Sequence, residues 1–83
     1  MKKKILGLTM NVTEDTFGTQ YEFLNPVSLS VLNSIIIKLG SQYEYVRNFT
    51  DTVIVKDKEY YTGYLRCKNR EQLLKYWNIP QVI

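Results

Sequence analysis

Six side chains of this 83-residue chain have the types and spacing to do binding chemistry: Tyr43, Tyr45, Arg47, Tyr60, Tyr64 and Arg66. In a strand, successive side chains point to opposite faces, so residues two or four apart share one. Along 60–67, one face carries Tyr60, Thr62, Tyr64 and Arg66; the other carries Tyr61, Gly63, Leu65 and Cys67. The first face is aromatic and basic, the second mostly apolar. If residues 42–48 form a neighbouring strand, the register set by burying Val46, Leu65 and Cys67 brings all six side chains onto one surface. Rings and guanidinium groups on an open sheet stack with bases and pair with phosphates. Tyrosine is also favoured in strands for packing alone, and cross-strand aromatic pairs stabilise sheets without any ligand.

Other chemistries are excluded by composition. There is no histidine, which removes imidazole acid–base catalysis, His-based triads and His-based metal sites. The single cysteine, Cys67, rules out a thiolate zinc site and an internal disulfide. It reads as a small buried hydrophobe in a chain suited to a reducing compartment. The acidic residues are scattered, and no glycine-rich phosphate-binding motif occurs. The expectation is a chain that is not an enzyme and carries no cofactor or metal. The net charge of +3 permits an acidic partner without demanding one.

These residues need elements to position them, and 83 residues suffice for a single domain, 1–83. Residues 4–12 alternate and read as a half-buried strand, with Leu6, Leu8, Met10 and Val12 on its core face. Met1 to Leu8 imitates a secretory leader, but Thr9 and Asn11 cut its apolar run short. No segment approaches a membrane span, and the expected location is cytoplasmic. Gly18 reads as a turn, and residues 20–23 as an undecided short strand. A helix follows, with Asn25 as N-cap, Pro26 at its first position and Gly40 just past its end. Leu29, Leu32, Ile36 and Leu39, joined by Val31 and Ile35, form its core face. Val27 and Ile37 fall outside that face and are candidates for a protein interface.

Residues 42–48 and 52–57 read as two strands with a bend at 49–52, and Asp57-Lys58 as a turn into the strand ending at Cys67. Asn69, with Gln72 three residues on, caps a second helix whose buried side is Leu73, Leu74 and Trp77. Residues 79–83 suit a final edge strand. The order strand, helix, strand, strand, helix, strand implies an α+β domain of the ferredoxin-like, split βαβ plan, an antiparallel sheet with two helices on one face.

Gly63-Tyr-Leu-Arg-Cys-Lys-Asn-Arg-Glu-Gln-Leu resembles the third strand and second helix of an RNA-recognition motif. Tyr60, Tyr61 and Thr62 replace the basic and glycine half of that motif, and the first strand lacks its base-stacking aromatic. Residues 60–77 are also similar to the rolling-circle replication initiators of viruses and plasmids, with Tyr60 and Thr62 standing where the metal-binding histidines belong. Both resemblances imply a ferredoxin-like domain that contacts nucleic acid, here without metal.

Alanine is absent, while Ile, Lys, Asn and Tyr abound, a bias associated with AT-rich phage and mobile-element genes. The sequence therefore implies a small non-catalytic binding protein of that origin, contacting single-stranded nucleic acid or a nucleoprotein through Tyr45, Arg47, Tyr60, Tyr64 and Arg66. Lys2, Lys3 and Lys4 add an electrostatic tail. The alternative is a phage-type inhibitor, like the anti-CRISPR proteins, that binds a host defence or replication protein through Val27, Ile37 and the sheet edge. Monomer and homodimer are both open.

Overall fold

The computed structural model describes residues 1–71. Strands β1 (Lys2–Ile5), β2 (Leu8–Asp15) and β3 (Gly18–Phe23) precede helix α1 (Leu29–Gly40), which is followed by β4 (Tyr45–Val55) and β5 (Lys58–Lys68). The sheet order is β1-β2-β3-β5-β4, with every neighbouring pair antiparallel. The ferredoxin-like expectation is thereby overturned. Three strands in a meander come before the helix, and two more follow it, where the ferredoxin-like plan alternates strands with two helices. Among the described residues α1 is the only complete helix. The expected second helix at 69–77 is described only at its start, where Arg70 and Glu71 are helical, and its buried side and the 79–83 strand lie outside the described residues.

The departures have local causes. The alternation over 4–12 hides a hairpin: Leu6 and Gly7 both take positive φ, 52° and 80°, the combination that closes a two-residue turn between right-twisted strands. Such a turn reverses the parity, because Ile5 and Leu8 are paired and share a face. Leu6 continues the even count of Leu8, Met10 and Val12 only because it sits in the turn, so the sequence reads as one strand. Leu8, Met10 and Val12 face the core as expected, but Leu6 sits exposed at the turn and Ile5 packs inward instead.

Helix α1 begins three residues later than Asn25 predicts. The backbone of Val27 is engaged by β5: its N–H donates to the Tyr61 carbonyl at 2.8 Å, and the Tyr61 N–H donates back at 2.7 Å. That bridge needs extended geometry, so Ser28 becomes the N-cap and its hydroxyl accepts from the Val31 N–H at 3.3 Å. The delay rotates the buried face. Leu32, Ile35 and Leu39 are buried with Ile36 beside them, whereas Leu29 and Val31 are exposed. Val27 is only 6% exposed and belongs to the core, so it offers nothing to a partner; Ile37, at 73%, is on the surface.

Residues 45–55 form one unbroken strand where a bend at 49–52 divided two. The turn falls at Lys56 and Asp57, both with positive φ, one residue before the expected pair. β4 and β5 pair over their whole length, while β3 reaches only Tyr64 to Cys67 of β5 and Val27 bridges Tyr61. The core lies between α1 and one face of the sheet, centred on Met10, Ile35, Leu39, Leu65 and Cys67. No helix among the described residues is long and apolar enough to cross a membrane.

Candidate binding face

With α1 covering one side of the sheet, no element among the described residues covers the other, and strand parity decides what this open face displays. Leu65 and Cys67 are buried in the core, so Tyr60, Thr62, Tyr64 and Arg66 point the other way. Cross-strand register extends this face. Tyr64 lies between Glu22 of β3 and Phe49 of β4, and Arg66 between Gln20 and Arg47; Tyr45 is opposite Lys68, and Tyr60 opposite Val53. All five residues expected to form the site therefore share one face. They are not equally close. Arg47, Tyr64 and Arg66 are neighbours, Tyr45 adjoins them at the start of β4, and Tyr60 stands apart near the hairpin end, where it lines a shallow hollow with Pro26 and Val55.

Tyr43 does not join this face. It precedes β4, and its hydroxyl meets that of Tyr21 at 2.8 Å, the two rings edge to face at 6.1 Å. Burial, with that hydroxyl contact, raises the Tyr21 phenol well above the ordinary tyrosine range. The pair is a polar seam at the core margin.

Phe49 takes the place that Tyr43 leaves. Its ring stacks on that of Tyr64, with centroids 5.0 Å apart and planes 19° from parallel. Thr50, Asp51 and Thr52 around it read as turn formers and masked it, but Tyr45, Arg47, Phe49, Asp51, Val53 and Val55 keep the period of two throughout. Gly63 lets the two strands meet here. It is paired with Thr50 at φ 128°, and a Cβ on it would fall 2.6 Å from the Phe49 carbonyl oxygen.

Arg47 and Arg66 are directly opposed, an arrangement that repels. Each guanidinium turns to a different partner. Arg47 lies over the Phe49 ring, 4.9 Å from its centroid. Arg66 donates to Gln20 Oε1 at 3.3 Å and to Asp15 Oδ2 at 3.1 Å. Its hydrogen bond, seconded by the Phe17 N–H on Oδ1, holds the Asp15 carboxyl below its usual range.

The face is also where positive charge collects. By register and parity it carries Lys2, Lys4, Arg47, Lys58, Arg66 and Lys68 against Asp15, Glu22 and Asp51. Lys3 falls on the opposite side, beside Glu14 at 4.0 Å. Six cations against three anions equal the +3 of the whole chain, so the remainder is neutral. Rings with cations stack flat π systems and attract anions. Among the described residues, no group of three or more acidic or cysteine side chains gathers to hold a metal ion. Cys67 is buried at β5, and burial pushes its thiol up to about 11. No protein-family model, curated protein or solved structure matches the chain.

Proposed function

We propose that this protein is a non-catalytic binding module, of the small kind carried by phages and mobile elements, that takes single-stranded nucleic acid on its open sheet face. The observation that carries the reading is the near-parallel pair of Phe49 and Tyr64 on β4 and β5, at one end of a face holding six basic side chains. Bases extend that stack, and the backbone follows Arg47, Arg66 and Lys68 on one side and Lys2 and Lys4 on the other. A stacked base contributes roughly 1–3 kcal/mol whatever its identity, and the cations attract phosphate without reading sequence. The expected ligand is therefore a single strand bound with little sequence preference. A labelled oligothymidine titrated at low salt tests this by fluorescence anisotropy, with Phe49→Ala and Tyr64→Ala as the variants that should lose affinity.

A second reading, a protein inhibitor of a host defence or replication factor, draws on α1. Leu29 and Ile37 are exposed two turns apart, which places them on one outward side of the helix. That contact would be apolar and nearly indifferent to salt, so the same titration separates the readings.

A further inference from the structure

The sheet has two edges, and they differ. β1 carries Lys2, Lys3 and Lys4 in succession, a run of like charges that discourages another strand from pairing. β4 is eleven residues long, and among the described residues no strand pairs with its far side. Its outward backbone groups can be assigned. The Tyr61 N–H and C=O are engaged by Val27 on the β3 side, so Tyr61 and its partner Thr52 form a non-hydrogen-bonded pair. By alternation, Val46, Asn48, Thr50 and Thr52 direct their N–H and C=O groups away from the sheet. The Thr50 N–H is satisfied by Asn48 Oδ1 at 2.9 Å, a side-chain partner in place of a strand.

We infer that this edge pairs with the β4 edge of a second copy of the same chain, in antiparallel register about a two-fold axis at Phe49. A two-fold perpendicular to the sheet keeps both open faces on the same side, so residues of like parity meet. The charges choose among the registers. Centred on Asp51, the axis sets two aspartates together; centred on Asn48 or Thr50, it opposes Arg47 or Asp51 to an apolar side chain. Centred on Phe49, it sets Arg47 against Asp51 of the second copy, twice, with the Phe49 rings facing one another between them and Tyr45 against Val53. On the other face Asn48 meets Thr50, and Val46 meets Thr52. Those even-numbered residues have the outward backbone groups, so the same register makes them the hydrogen-bonded pairs. Arg47, Phe49 and Asp51 then occupy the non-hydrogen-bonded positions, where side chains approach most closely. The product is a ten-stranded sheet whose aromatic row runs from Tyr64 of one copy to Tyr64 of the other.

Sedimentation without nucleic acid tests this independently of the binding proposal. At roughly 50 µM, a concentration that saturates a micromolar Kd, the wild type should run as a dimer. Arg47→Asp and Asp51→Arg should each weaken association at least tenfold, and the two together should restore it to within about threefold, because the opposed charges are exchanged and kept. Phe49→Cys should cross-link to its own copy under mild oxidation, the Cα separation of roughly 4.5 Å suiting a disulfide, while Thr52→Cys should not. A monomeric wild type, a double reversal no tighter than the single ones, or Thr52→Cys linking as readily as Phe49→Cys overturns the inference.

Discussion

Phe49 and Tyr64 stand opposite one another on β4 and β5 with their rings 5.0 Å apart and nearly parallel. They make the open face of the sheet an aromatic platform rather than a scatter of tyrosines. Both rings lie on the side away from the core, so removing either touches binding more than folding. Phe49→Ala and Tyr64→Ala should each weaken oligonucleotide affinity by roughly 5- to 150-fold, the equivalent of one stacked base. The thermal midpoint should change by the equivalent of only about 1 kcal/mol, the scale of a cross-strand aromatic pair. Anisotropy titration and calorimetry on the same samples separate the two effects.

Asp15→Asn should raise affinity rather than lower it. The Asp15 carboxylate holds Arg66 at 3.1 Å and competes with phosphate for it. An exposed pair of this kind is worth about 0.2–1 kcal/mol, so the gain should be roughly 1.4- to 5-fold at low salt. Affinity that falls in the Asp15→Asn variant would mean that Arg66 needs its carboxylate for positioning.

Gly63→Ala should destabilise the fold by several kcal/mol. The new Cβ would meet the Phe49 carbonyl at 2.6 Å and the Thr50 Cα at 2.9 Å, at a φ of 128° that other residues rarely adopt. Urea denaturation gives the number. An unchanged midpoint would show that β4 and β5 are not held as closely as described.

The Cys67 thiol should be inert to a disulfide reagent at pH 8 until the protein unfolds, because burial pushes its pKa up to about 11. A raised thiol pKa stabilises the native state fully below the unfolded value near 8.5. That contribution is lost as pH climbs toward 11. Denaturation midpoints should therefore fall over this alkaline window, and a Cys67→Val variant should fall less.

Which side chains share the open face was largely legible because strand parity depends only on counting. Leu65 and Cys67 had to be buried, which sent Tyr64 and Arg66 outward, and Val46 did the same for Tyr45 and Arg47. The fold was not legible, because its deciding features leave no trace in periodicity. The two-residue turn at Leu6 and Gly7 reverses the parity, but Leu6 itself continues the even count of Leu8, Met10 and Val12, so two strands read as one. Val27 looks like a helix residue until the Tyr61 bridge claims its backbone, and Phe49 hides among turn-forming neighbours. The Val27 bridge and the Phe49–Tyr64 pairing depend on partners distant in the chain, and local propensity carries no information about such partners.

The salt dependence of single-strand binding decides whether the open face takes nucleic acid. For an oligothymidine, log K should fall linearly with log salt, with a slope near −0.7 for each phosphate neutralised. Replacing Arg47 and Arg66 together with glutamine should make that slope shallower by about 1.4, the share of two phosphates. No binding at the lowest salt, or an affinity that salt leaves unchanged, would contradict the account and leave the protein-inhibitor reading in its place.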